Sequence, residues 1–248
     1  MVSTVFLIGA PLICFVGAYV SAVAGLGGGL LIVAFCAQIM PLAAVVPLTG
    51  VFVLAGQVAR IGQFYPYLDW SIARPFIPGS LLGAVLGSHI YFSLPENAIA
   101  LMLGSVMLWF CWVPSTPASQ WLGRKIPHPW FWVGIIHTFI STLAGVGGLF
   151  QSMMVNRNLS RQAVVGTIAG TLLAMSVFKT VAYVAAGFDY RPYLMVIVLS
   201  WLAAVAGTYV GKNSLSQLSD RFFQRLLKAV VTIFSLRLFW QVAQRFWT

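Results

Sequence analysis

Runs of about twenty apolar residues recur along this chain, and that is the length a helix needs to cross the hydrocarbon of a bilayer. Of its 248 residues, 60% are hydrophobic and 7% charged, against roughly a quarter charged in soluble domains. The runs are continuous, without the short alternating segments of a β-barrel, so the expected class is an all-α integral membrane protein. The start of the chain is apolar but lacks a basic n-region, so it is read as retained rather than as a signal peptide. Cys14, Cys36 and Cys111 lie in apolar stretches without metal or disulfide spacing and read as packing residues. The net charge of +10 falls mostly between the apolar runs. It therefore points to loops beside anionic lipid, with no nucleic acid as partner.

Two of the apolar stretches are broken by glycine. "AGLGGGLL" (Ala24–Leu31) and "AGVGGLFQ" (Ala144–Gln151) lie 120 positions apart (144 − 24). At that shift Ser21 meets Ser141, Gly25 meets Gly145, Gly27 meets Gly147, Gly28 meets Gly148, Asp69 meets Asp189 and Gly87 meets Gly207. At a shift of 119 Arg60 meets Lys179. Ordered matches at a near-constant shift point to internal duplication. The expected organisation is a first membrane repeat over 1–114, a linker over 115–128 and a second repeat over 129–248. Each repeat begins with a glycine-broken segment (4–40 and 129–157). Uninterrupted helices follow at 43–64, 71–93 and 97–114, then at 160–186, 190–211 and 222–246.

Basic connectors set the orientation. The linker with Arg124 and Lys125, the connector with Arg157 and Arg161, and the connector with Lys212, Arg221, Arg225 and Lys228 all belong on the cytoplasmic side. A segment that starts and ends on one side must turn back, so each broken segment is expected to be a re-entrant hairpin. The two halves then become inverted repeats, each a hairpin plus three transmembrane helices. Arg191 and Arg245 fall outside in this scheme.

Irregular backbone at membrane depth is tolerated only against protein or a water-filled cavity. A broken helix leaves free N–H groups at the start of its second half, where the helix dipole also favours negative charge. The candidate site is therefore Ser21, Gly25, Gly27, Gly28 and Gly29 in the first half, with Ser141, Thr142, Gly145, Gly147 and Gly148 in the second. Glycines that merely let helices pack closely are the alternative; recurrence in both halves favours a site. Arg60 and Lys179 are cations inside apolar helices and join the candidates, and Arg237 is either a third or a lipid-facing snorkeler. Gln57, Gln63, Gln151, Thr167, Thr171 and Ser176 either line a pathway or tie helices together. His89 and His137 are lone histidines and read as packed or hydrogen-bonded residues rather than as a proton relay. The four acidic residues, Asp69, Glu96, Asp189 and Asp220, fall in connectors or at helix ends, which disfavours cation substrates and carboxylate-mediated coupling. The expected partners are a small anion and the lipid bilayer, no cofactor or metal is called for, and a homo-oligomer is compatible with the sequence.

With these motifs the chain resembles the TauE/SafE family of sulfite exporters, the TSUP permeases. The glycine turns carry the likeness, together with "AVVGTIAGT" (Ala163–Thr171), which fits that family's "AVGT"-like element. The first copy, "AVVPLTG" (Ala44–Gly50), departs from it at Pro47 and Leu48. The resemblance implies transport of sulfur-containing anions such as sulfite, thiosulfate or organosulfonates across the bacterial cytoplasmic membrane. It adds Thr167 to the glycines as a motif position. A passive anion channel and, further off, a membrane-embedded enzyme or assembly subunit are the other readings of these residues.

Overall fold

The computed structural model describes residues 4–24, 28–113, 127–147, 149–155, 159–213 and 220–247. Every regular element among them is helical. The first half comprises α1 (Thr4–Ala24), α2 (Gly28–Ile39), α3 (Leu42–Phe52), α4 (Leu54–Phe64), a 3-10 turn (Tyr65–Tyr67), α5 (Trp70–Ser93) and α6 (Glu96–Trp112). The second comprises α7 (Pro129–Ala144), α8 (Leu149–Val155), α9 (Arg161–Ala185), a 3-10 turn (Arg191–Tyr193), α10 (Leu194–Asn213) and α11 (Asp220–Trp247). Five stretches are long and apolar enough to cross a membrane: Thr4–Ala22, Leu42–Tyr67, Trp70–Ser93, Gln162–Ala185 and Arg191–Gly211.

Both glycine-broken segments are helical hairpins. Ile32 of α2 reaches Gly17 of α1, and Ile39 reaches Gly9, so the second arm runs back along the first. In the second half Phe150 of α8 packs on Trp130 and His137 of α7. The arms are unequal. At 1.5 Å per residue α1 spans about 32 Å and α2 about 18 Å.

One expected helix is interrupted. The segment predicted as continuous over 43–64 divides at Val53 into α3 and α4. Pro47 has already removed one backbone donor from this stretch. At the division, the Val51 carbonyl accepts from Trp201 Nε1 of α10 at 2.8 Å. The corresponding second-half helix, α9, runs unbroken.

Packing is crosswise between the halves. α5 lies along α7 and α1 along α10. Close approach depends on glycine rows: a Cβ at Gly83 or Gly87 would collide with α7 at Ile135 and Thr142, and one at Gly207 or Gly211 would collide with α1 at Phe15 and Tyr19. Phe15 and Tyr19 precede Ile135 and Phe139 by 120. Their glycine partners are separated by 124, from Gly83 to Gly207 and from Gly87 to Gly211. The expected match of Gly87 with Gly207 therefore gives way to Gly83 with Gly207. The four extra positions fall after Asp189, where the second 3-10 turn stands between that residue and α10. α6 pairs with α11 through Phe239 against Gly104 and a 2.9 Å bond from Trp112 Nε1 to Thr232 Oγ1.

α3 sits at the centre, with Ala44 through Phe52 all buried. Around it gathers an apolar core drawn from both halves, including Cys14, Val33, Cys36, Leu103 and Leu238. A second cluster of Phe76, Trp130, Phe150, Met154 and Met175 holds the short arm α8 against α5, α7 and α9.

Candidate functional site

The second glycine break is built around its carbonyls. α7 ends at Gly145, which takes φ +73 and returns its N–H to the Ser141 carbonyl at 2.9 Å. The left-handed region is open to glycine at little cost. A helix that stops here leaves its later carbonyls without intrahelical donors, and α9 sends two side-chain donors to this end. Lys179 Nζ donates to the Ser141 carbonyl at 2.8 Å and to Ser141 Oγ at 3.0 Å. One turn further on, the Tyr183 hydroxyl donates to the Thr142 carbonyl. Lys179 and Tyr183 lie at i and i+4, hence on one face of α9.

Lys179 is 3% exposed. Its ammonium has three N–H donors, of which Ser141 takes two. No carboxylate among the described residues pairs with it; Asp69 and Asp189 cap connectors, accepting from the Ser71 and Arg191 N–H groups at 2.9 Å. A cation at a helix C-terminus is favourable by roughly 0.3–1 kcal/mol at exposed sites and more in partly buried geometry. Even so, its charge is left without an anion in a buried setting. Gly50 of the central helix α3 faces it, with 4.0 Å from a Cβ built there to Lys179 Cε.

Below Ser141 on α7 lie Thr138 and His137, both buried. The Thr138 hydroxyl has no partner among the described residues. His137 Nδ1 accepts from the Phe150 N–H at 3.4 Å, and its ring lies against Gly147. The pair links the two arms of the hairpin across the break.

The remaining expected residues divide into those gathered here and those held elsewhere. Ser141, Thr142, Gly145 and Gly147 belong to this break. Ser21 and Gly28 meet at the other one, where a Cβ on Gly28 would strike Ser21 Oγ, and Gly29 faces open space. Gly25, Gly27 and Gly148 lie outside the described residues. Thr167 is on α9, twelve residues from Lys179, or about 18 Å along the helix. Its hydroxyl accepts from the Asp69 N–H at 2.9 Å, which ties the connector before α5 to α9.

Arg60 is also apart. Its neighbour Ile61 packs at Gly170 of α9, whereas Lys179 faces Gly50. The nine residues between Gly170 and Lys179 span about 13 Å. The two cations therefore stand toward opposite ends of the pairing between α3/α4 and α9. Arg60 is half-buried, and Arg237 is exposed. Gln57 and Gln151 each carry a buried Oε1 without a partner among the described residues.

Sequence reasoning did not single out Tyr183 or Gly50; His137, expected as a packed or hydrogen-bonded residue, is both. The available signal was spacing. His137, Ser141 and Gly145 follow at i+4, and Tyr183 stands at i+4 from Lys179, so each set shares a helix face.

No curated protein and no solved structure matches the chain. The family described as Sulfite exporter TauE/SafE matches residues 10–238. It is a family of membrane transporters rather than enzymes, and its members carry sulfur anions. With that match across nearly all of its length, and with five spans of crossing length, this multi-pass membrane protein belongs to the TauE/SafE sulfite exporter family.

Proposed function

We propose that the protein is a secondary transporter of a small sulfur-containing anion, either a sulfur oxyanion or an organosulfonate, in the bacterial cytoplasmic membrane. It binds the anion at the glycine breaks and works by alternating access. One observation carries this reading: Lys179, buried and without a carboxylate partner among the described residues, stands at the break after Ala144. The third N–H of Lys179, the spare Thr138 hydroxyl and the backbone of the break supply donors for an anion. Arg60, toward the opposite end of the same helix pairing, serves as a second cationic station. Inverted repeats are supported by the crosswise packing of α5 on α7 and α1 on α10, which relates each half to the other in the same manner. The glycine-broken hairpins 4–40 and 129–157 are then the re-entrant elements of the two repeats.

The test is a thermal-shift screen of purified protein against sulfite, thiosulfate, sulfonates and carboxylates. A ligand of the folded state raises its apparent stability by mass action. Stabilisation by sulfur anions supports the proposal, and a response confined to cations overturns it. Accumulation against a gradient in proteoliposomes separates a transporter from a channel.

A further inference from the structure

Two basic side chains converge on one break. His137 and Ser141 are one turn apart on the same face of α7, and Lys179 is bonded to Ser141. The groups packed against His137 from other elements are Phe76 of α5 and Phe150 of α8, both uncharged. Around Lys179 are Ser141 of α7, one turn from His137, Tyr183 on its own helix, Tyr91 of α5 against the Tyr183 ring at 6.0 Å, and Gly50 of α3. The local charge is set by one ammonium and one imidazole, with no carboxylate among the described residues.

A singly charged anion is matched by Lys179 alone. A doubly charged one brings a second negative charge into surroundings where unpaired charge is costly. We propose that His137 takes up one proton from water when a doubly charged oxyanion docks at Lys179, and stays neutral when the ligand is singly charged. The inference rests on the sulfur-anion reading above and names the substrate class that the His137 side favours. The proton balance is simple. Because Nδ1 accepts from the Phe150 N–H, the neutral ring carries its hydrogen on Nε2. The incoming proton binds Nδ1, and the imidazolium then gives up the bond from Phe150. Proton uptake thereby frees the Phe150 N–H at the start of α8.

Thiosulfate is a dianion and methanesulfonate a monoanion across the usable pH range, so any pH dependence of binding belongs to the protein. The experiment measures proton uptake on binding each anion to the purified full-length protein, using titration calorimetry in buffers of different ionisation enthalpy. About one proton per thiosulfate and none per methanesulfonate is expected. Thiosulfate Kd should rise about tenfold per pH unit where His137 is neutral in the free protein, the linkage slope for one proton. His137→Gln should remove both the uptake and the slope. Thiosulfate binding without proton uptake overturns the proposal, as does undiminished uptake in His137→Gln. Uptake with both anions assigns the titration to Lys179 and overturns it as well. Should His137→Gln fail to fold, the wild-type comparison of the two anions still decides. Binding of neither anion removes the sulfur-anion reading itself, and this inference with it; binding of both without protons removes the inference alone.

Discussion

Lys179 Nζ donates to both oxygens of Ser141, the carbonyl at 2.8 Å and the hydroxyl at 3.0 Å. One side chain thus closes the end of a broken helix and places a positive charge beside the break. These two tasks respond differently to substitution, which makes them separable.

Lys179→Gln keeps a donor for Ser141 and removes the charge. Its thermal midpoint in detergent should stay near wild type while anion affinity falls at least about tenfold, the loss expected for one charge-assisted hydrogen bond of about 1.5 kcal/mol or more. Lys179→Ala also removes both bonds to Ser141, whose carbonyl keeps only the Gly145 N–H, and should lose about 1–3 kcal/mol of stability besides. Binding titrations and thermal melts on the two variants check the separation; equal affinity in wild type and Lys179→Gln would remove the charge from the site.

Gly145→Ala forces a Cβ into the left-handed region and to within 2.9 Å of Val33 Cγ2. The conformational cost alone is about 1–2 kcal/mol. The variant should melt several degrees lower, and transport should fall further than the stability loss explains, because the break carries Ser141 and the Gly147–His137 contact. Flux measured well below the melting temperature tests this.

Thr167→Val removes the acceptor for the Asp69 N–H. A loss of about 1 kcal/mol is expected, with anion Kd shifted less than by Lys179→Gln, since Thr167 is about 18 Å along α9 from Lys179. A Kd shift as large as that of Lys179→Gln would bring this motif threonine back to the binding site.

Arg60→Gln should lower turnover more than affinity, because Arg60 stands toward the far end of the helix pairing from Lys179. Counterflow rates in proteoliposomes set beside equilibrium binding report the two effects. A loss of affinity matching that of Lys179→Gln would place both cations on one ligand.

Much of the architecture was legible in the sequence. The helices over 71–93, 97–114, 160–186, 190–211 and 222–246 lie within a few residues of α5, α6, α9, α10 and α11, because apolar length is a local property. The division at Val53 was not legible: the nearby Val51 carbonyl accepts from Trp201, 150 residues away. Thr167 is a motif position by resemblance, and only the folded chain shows its hydroxyl accepting from the Asp69 N–H.

By itself, the sequence determined that this chain is helical and lives in a membrane, that two glycine breaks recur in it, and that no carboxylate lies deep in an apolar run. Each of these follows from composition and spacing along one chain. The tertiary structure decided which cation meets which break. That depends on α9 lying against α5, α4 and α3 in one register, from which Lys179 reaches Ser141 of α7 and Arg60 does not. Register is fixed by glycine rows and carbonyl acceptors contributed by other helices, and contacts between distant segments leave no periodicity in either one alone.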